Sequence, residues 1–121
     1  MTGSRSTRIA AGPAAAITAG EVRVLGLPAH ADGTPREALL LRDEDGCLRA
    51  YVNRCMHLSI PLDAGGRNFM SADGVHLQCR THGARYRLND GYCVEGPCVG
   101  SALEGLAIEI DSAGVCFVVD R

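Results

Sequence analysis

Two short clusters hold more metal-binding side chains than any other part of this chain. Cys55-Met56-His57 forms the first and Cys79-Arg80-Thr81-His82 the second, with 21 residues between His57 and Cys79. Each contributes one soft thiolate and one imidazole. A Cys and a His two residues apart reach a single centre only from a loop or a bent strand. On a flat strand they would share a face but lie too far apart for one small ion. The surroundings meet that condition. Residues 53–66 carry Pro61 and the pair Gly65-Gly66, and Gly83 follows His82.

Two kinds of centre use two Cys and two His. A structural zinc site is one. Zinc fingers, however, usually place both Cys in one arm and both His in the other, whereas here each arm carries one of each. Mixed arms suit a binuclear centre in which one iron takes both thiolates and the other both imidazoles. The four other cysteines have simpler readings. Cys47 and Cys116 lie in strand-like patterns and read as buried free thiols. Cys93 and Cys98, five residues apart, read as reduced packing residues, with a disulfide or a part in cluster assembly as alternatives. His30 and His76 read as residues outside the site.

The elements that must position these clusters are short strands. The chain has 121 residues, 46% of them apolar and 4% aromatic, with fifteen Gly, five Pro and no Trp. That describes one domain with an aliphatic core and many turns. Strand patterns cover Glu21–Leu27, Glu37–Arg42, Leu48–Val52, Val75–Cys79 and Ala84–Leu88. A final hairpin pairs Leu106, Ile108 and Ile110 with Val115, Phe117 and Val119 around Asp111-Ser112-Ala113-Gly114. Asp43-Glu44-Asp45-Gly46 and Asn89-Asp90-Gly91 are hairpin turns. No stretch shows a helical apolar stripe. The expectation is an all-β antiparallel sandwich or barrel. Residues 1–7 form a flexible N-terminus, and the Ala-rich stretch after them is a leader running into a first strand. A formal charge of −2 gives no reason to expect nucleic acid or an anionic membrane as partner. No apolar run is long enough to span a bilayer, and no signal peptide is read at the N-terminus, so the cytoplasm is the expected location.

Cys55-Met56-His57-Leu58 resembles the first metal-binding box of the Rieske iron–sulfur family, and Cys79-Arg80-Thr81-His82-Gly83 resembles the second. The likeness continues through Ala84–Leu88 to Gly91 and through Gly96-Pro97-Cys98, covering about residues 50–111. It implies one Rieske-type domain over residues 8–121, with residues 53–101 as a loop-rich cluster-binding part. It further implies a [2Fe–2S] cofactor held by Cys55, His57, Cys79 and His82. The branch with a disulfide between the two loops needs a Cys in each. Ile60 and Thr81 stand at those positions, so the likeness is to the small ferredoxin branch. The gap between boxes is long for that branch, and the excess is expected around residues 67–73, in a connection that need not touch the cluster.

The resemblance implies electron transfer rather than catalysis. Replacing two thiolates by neutral imidazoles removes two negative charges, which raises such centres to roughly −150 to +300 mV, against about −400 mV for plant-type ferredoxins. Ala84 lacks the hydroxyl that high-potential members use as a hydrogen-bond donor, while Tyr86 offers a phenol. The expected potential is therefore in the lower part of the range. The chain shows no second ligand set for an oxygen-activating iron. The expectation is a one-electron carrier serving an oxygenase system, with a reductase as donor and a terminal oxygenase as acceptor. A redox sensor or regulatory subunit is the alternative, and a structural zinc module a further one. Arg54, Arg80 and Arg85 flank the ligands, either as solvated or paired charges or as a rim that steers an acidic partner.

Overall fold

The structure is a computed structural model that describes residues 7–29, 31, 33–55, 61–63, 68–81 and 83–120. His57 and His82 fall outside the described residues, as do Met56, Leu58, Ile60, Gly65, Gly66 and His30. The described chain forms nine strands: β1 (Thr7–Pro13), β2 (Arg23–Leu27), β3 (Arg36–Arg42), β4 (Leu48–Val52), β5 (His76–Gln78), β6 (Arg85–Arg87), β7 (Cys93–Glu95), β8 (Gly105–Ile110) and β9 (Val115–Asp120). A single 3-10 turn spans Ala14–Ala16.

Six strands form one antiparallel sheet in the order β1-β9-β8-β4-β3-β2, and the other three form a small sheet β5-β6-β7. The large sheet curls until its two edges approach. Arg23 on β2 spans the remaining gap by donating from Nη1 to the Ala11 carbonyl of β1 at 2.9 Å. The result is a nearly closed barrel, as the all-β reading expects, with the small sheet packed on its outside.

The continuous apolar run in β3 has a structural reason. Ala38 and Leu40 face the barrel interior with Ala11, Ile17, Ala50, Cys116 and Val118. Leu39 and Leu41 face the other way, into a second core shared with the small sheet. A strand buried on both faces needs no alternation. Tyr51 of β4 joins the same second core. Its hydroxyl donates to the Leu88 carbonyl at 2.7 Å, tying the barrel to the end of β6. Burial pushes the Tyr51 phenol up to about 12, so it stays a donor.

Turn chemistry sets the hairpins. Asp43 Oδ1 accepts from the Asp45 and Cys47 amides at 2.9 and 3.0 Å, and Asp111 Oδ1 accepts from the Ala113 and Val115 amides, both at 2.9 Å. A short carboxylate that bonds the backbone two and four residues on closes such turns locally.

Several expectations change. The Ala-rich stretch forms β1 itself, paired with β9 from Thr7 onward, because its small side chains fit a barrel edge. Cys47 is exposed, not buried. It ends the turn and precedes β4, so no sheet covers it. In β9 Cys116, Val118 and Val119 are buried, whereas Val115 and Phe117 are half-buried. Val75 is exposed and His76 half-buried. The stretch 67–73, expected as a connection that need not touch the cluster, reaches the core around the two thiols through Phe69. Phe69 is buried in the second core with Cys55 and Cys79, and its carbonyl accepts from the Gln78 amide at 2.8 Å.

Candidate metal centre

Cys55 lies three residues beyond β4. The strand is ended by its own backbone: the Arg54 amide bonds back to the Val52 carbonyl at 2.9 Å, a tight turn over three residues. Asn53 anchors that turn. Its amide donates to the Glu37 carbonyl at 2.8 Å, its Nδ2 to Glu37 Oε1 at 3.1 Å, and its Oδ1 accepts from the Leu62 amide at 2.8 Å. One buried carboxamide thus spans both ends of the first loop.

The second loop begins where β5 ends. The Cys79 amide donates to the Ala84 carbonyl at 2.8 Å and the Gly83 amide to the Cys79 carbonyl at 2.9 Å, so the two ends of this loop are bonded to each other. The two loops are joined directly, since the Arg80 amide donates to the Leu62 carbonyl at 2.8 Å. Asn53, Leu62 and Arg80 therefore form a chain of contacts that sets one cysteine loop against the other. Residue types alone did not single out Asn53 or Leu62; an Asn just past a strand end was the available signal.

Cys55 and Cys79 are both fully buried and belong to one core with Leu62, Phe69, Leu77, Ala84 and Tyr86. Tyr86 is itself fully buried, and its Oη lies 3.5 Å from Cys55 Sγ and 3.0 Å from Cys98 Sγ. The phenol expected near the cluster is thus beside one of the two thiols. The third wall is the Gly-Pro loop. Gly96 has φ +100, and its Cα hydrogen faces Ala84 so closely that a Cβ would stand 2.7 Å from Ala84 Cα. Two buried thiols, a hydroxyl beside one of them and a shell of apolar side chains suit an iron–sulfur cluster, which needs soft anionic ligands, few water molecules and hydrogen bonds to sulfur.

The flanking arginines are engaged. Arg80 donates from Nε to the Asn68 carbonyl at 3.0 Å, and from Nη2 to Asn68 Oδ1 at 3.2 Å and to the Met70 carbonyl. Arg85 lies 3.7 Å from Glu95, its cross-strand partner on β7. Arg80 is thus held by neutral acceptors, and for Arg85 the reading as a paired charge is the one the geometry favours. Arg54 is exposed. Cys116 is buried in the barrel far from this core, and desolvation raises its pKa.

An antiparallel barrel carrying a small three-stranded sheet, with two loops that bury one cysteine each, defines a class of iron–sulfur domain. A family model described as the Rieske [2Fe-2S] domain matches residues 11–110, and the chain belongs to this family. A Rieske-type [2Fe–2S] cluster is the cofactor that goes with it. The oxygenase component of chloroacetanilide N-alkylformylase from Rhizorhabdus wittichii is 42% identical over 62 residues, 51% of this chain and 16% of that protein. Among solved structures, the terminal oxygenase of carbazole 1,9a-dioxygenase from Novosphingobium sp. KA1 superposes with a TM-score of 0.69 at 21% identity, covering 92% of this chain and 29% of that one. A putative NADH-dependent nitrite reductase small subunit from Mycobacterium tuberculosis superposes with a TM-score of 0.60 at 18% identity, covering 98% of both chains. At these identities the superpositions establish the fold. The chain spans less than a third of the oxygenase components it matches.

Proposed function

We propose that the chain is a one-electron carrier in which Cys55 and Cys79 hold one iron of the cluster and His57 and His82 the other. The observation that carries this reading is the joining of the two loops. Both thiols are fully buried in one core, and the Arg80-to-Leu62 and Leu62-to-Asn53 hydrogen bonds hold the loops together. The bound cluster supplies one reversible electron. The residues around it supply the rest. Leu62, Phe69 and Leu77 exclude water, which limits the reorganisation that accompanies a charge change. Tyr86 places a hydroxyl beside Cys55, where it can stabilise added negative charge.

The partner pair is a reductase as donor and a terminal oxygenase as acceptor. The 42% identity to an oxygenase component supports this choice. Among the described residues no helix is long and apolar enough to cross a membrane. A cytoplasmic location is part of the proposal; six cysteines, two of them in the proposed ligand set, suit a reducing compartment.

Visible absorption and pulsed electron paramagnetic resonance of the dithionite-reduced protein test the ligand set. The expected spectrum contains couplings to two imidazole nitrogens, one of which disappears in His57→Cys. A colourless protein with stoichiometric zinc, or a cluster without nitrogen couplings, would refute the assignment. The partner assignment is tested separately by reconstituting substrate turnover with a reductase and an oxygenase.

A further inference from the structure

Two cysteines outside the proposed ligand set are in contact. Cys93 opens β7 and Cys98 lies in the loop after it, and their sulfurs are 3.1 Å apart. Both backbones are held by Ser101. The Cys93 amide donates to the Ser101 carbonyl at 2.8 Å, and the Ser101 amide and hydroxyl donate to the Cys98 carbonyl at 3.0 and 2.7 Å. Gly96 packs against Ala84 between them. The pair is therefore positioned by the backbone on both sides.

The two thiols differ in access. Cys93 is fully buried and its S–H points to the Glu95 carbonyl at 3.3 Å, whereas Cys98 is half-buried. Desolvation, and next the hydrogen bond with Cys98, push the Cys93 thiol up to about 11. Cys93 is thus a protonated, shielded thiol, and Cys98 is the sulfur that an oxidant can reach. A disulfide needs the sulfurs at about 2.05 Å, a closing movement of about 1 Å that side-chain rotation can supply.

We propose that Cys93 and Cys98 form a reversible thiol–disulfide site, with Cys98 as the attacked sulfur and Cys93 as the resolving one. With hydrogen peroxide as oxidant, the Cys98 thiol takes one oxygen to become a sulfenic acid and one water leaves. The Cys93 sulfur then attacks the Cys98 sulfur, the S–O bond breaks, and a second water carries away the oxygen and the Cys93 proton. Overall, two thiols lose two electrons and two protons, and one peroxide becomes two waters. A small dithiol reverses the step by exchange. Closure also removes the Cys98 proton from the hydrogen-bond chain that runs through Tyr86 to Cys55. The assignment of this site does not depend on which side chains hold the iron.

The test uses the cluster-loaded wild-type protein. It is exposed to peroxide in small steps, its free thiols are blocked with N-ethylmaleimide in denaturant, and it is digested with trypsin together with a Glu-specific protease. Cleavage after Arg87, Glu95 and Glu104 separates Cys93 from Cys98 and both from Cys116. The expected product is the peptide 88–95 joined to the peptide 96–104, formed at least tenfold faster than oxidation of the exposed, solitary Cys47 and reversed by dithiothreitol. In Cys93→Ser the joined species is absent, and dimedone traps Cys98 as its sulfenic acid. The proposal is overturned if Cys47 oxidises as fast as the pair. It is equally overturned if Cys98 proceeds to a sulfinic acid without a joined species, or if it joins a different cysteine.

Discussion

Gly96→Ala tests the idea that the Gly-Pro loop is pressed onto the second cysteine loop. Two terms oppose the new methyl group. Gly96 has φ +100, where a side chain costs about 1–3 kcal/mol. In addition, the Cβ would stand 2.7 Å from Ala84 Cα and 3.2 Å from both its Cβ and its N. Ala84 has little room to retreat, because it is fully buried and its carbonyl holds the Cys79 amide. Overpacking of this kind costs about 1–3 kcal/mol. The expected loss is therefore about 2–6 kcal/mol, a large share of a typical domain's stability of about 5–15 kcal/mol. Gly100→Ala separates the two terms, since Gly100 has φ +102 but no atom within 4 Å of its virtual Cβ. The assay is guanidinium unfolding followed by circular dichroism and by the visible absorption of the cluster. Gly96→Ala should fall below Gly100→Ala by the clash term, and cluster absorbance should be lost at lower denaturant. If the two variants unfold within about 0.5 kcal/mol of each other, below the expected clash, the loop does not brace Ala84 and the reasoning fails.

Three further outcomes are expected. Tyr86→Phe removes the hydroxyl beside Cys55. If that hydrogen bond is about 1 kcal/mol stronger to the reduced cluster, protein-film voltammetry should show a potential lower by about 40 mV, and an unchanged or higher potential would contradict the donor role. Asn53→Ala removes the Oδ1 acceptor of the Leu62 amide and the Nδ2 donor to Glu37, so thermal unfolding should show a loss of about 1–3 kcal/mol, with poorer cluster retention after gel filtration; full retention at wild-type stability would remove Asn53 as the anchor. Asp43 is desolvated, which raises its pKa, but the Arg49 hydrogen bond and the Cys47 and Asp45 amides outweigh this and leave it lowered; Asp90 is lowered by Arg87 and then by the Tyr92 amide. A depressed carboxylate stabilises the fold fully above its unfolded pKa of about 4 and loses that contribution as pH falls through the folded value. Stability should therefore decline below about pH 4, and less steeply in Asp43→Asn; an unchanged acid limb in that variant would show that Asp43 does not drive it.

Local chemistry made much of this molecule legible from sequence. The two Cys-His clusters stated what kind of metal could bind, because ligand softness belongs to the side chain and not to the fold. Asp43, Asp90 and Asp111 announced their turns, since a carboxylate bonding its own downstream amides needs no distant partner. Alternation of Ala84, Tyr86 and Leu88 against Arg85 and Arg87 showed which face of β6 is buried. His57 and His82 lie outside the described residues, so their part in the ligand set stands on sequence and family alone. What only the tertiary structure decided depends on which surfaces meet. Cys47 is exposed because no strand covers the end of its turn, and Cys116 rather than its neighbours faces the barrel because of β9 register with β1 and β8. Phe69 enters the cluster core through pairing with β5, a contact no local pattern encodes. Arg80 and Arg85 find their partners across loops and strands. The meeting of Cys93 with Cys98 depends on Ser101 and on Gly96 pressing against Ala84, so sequence spacing showed their proximity along the chain but not that their sulfurs touch.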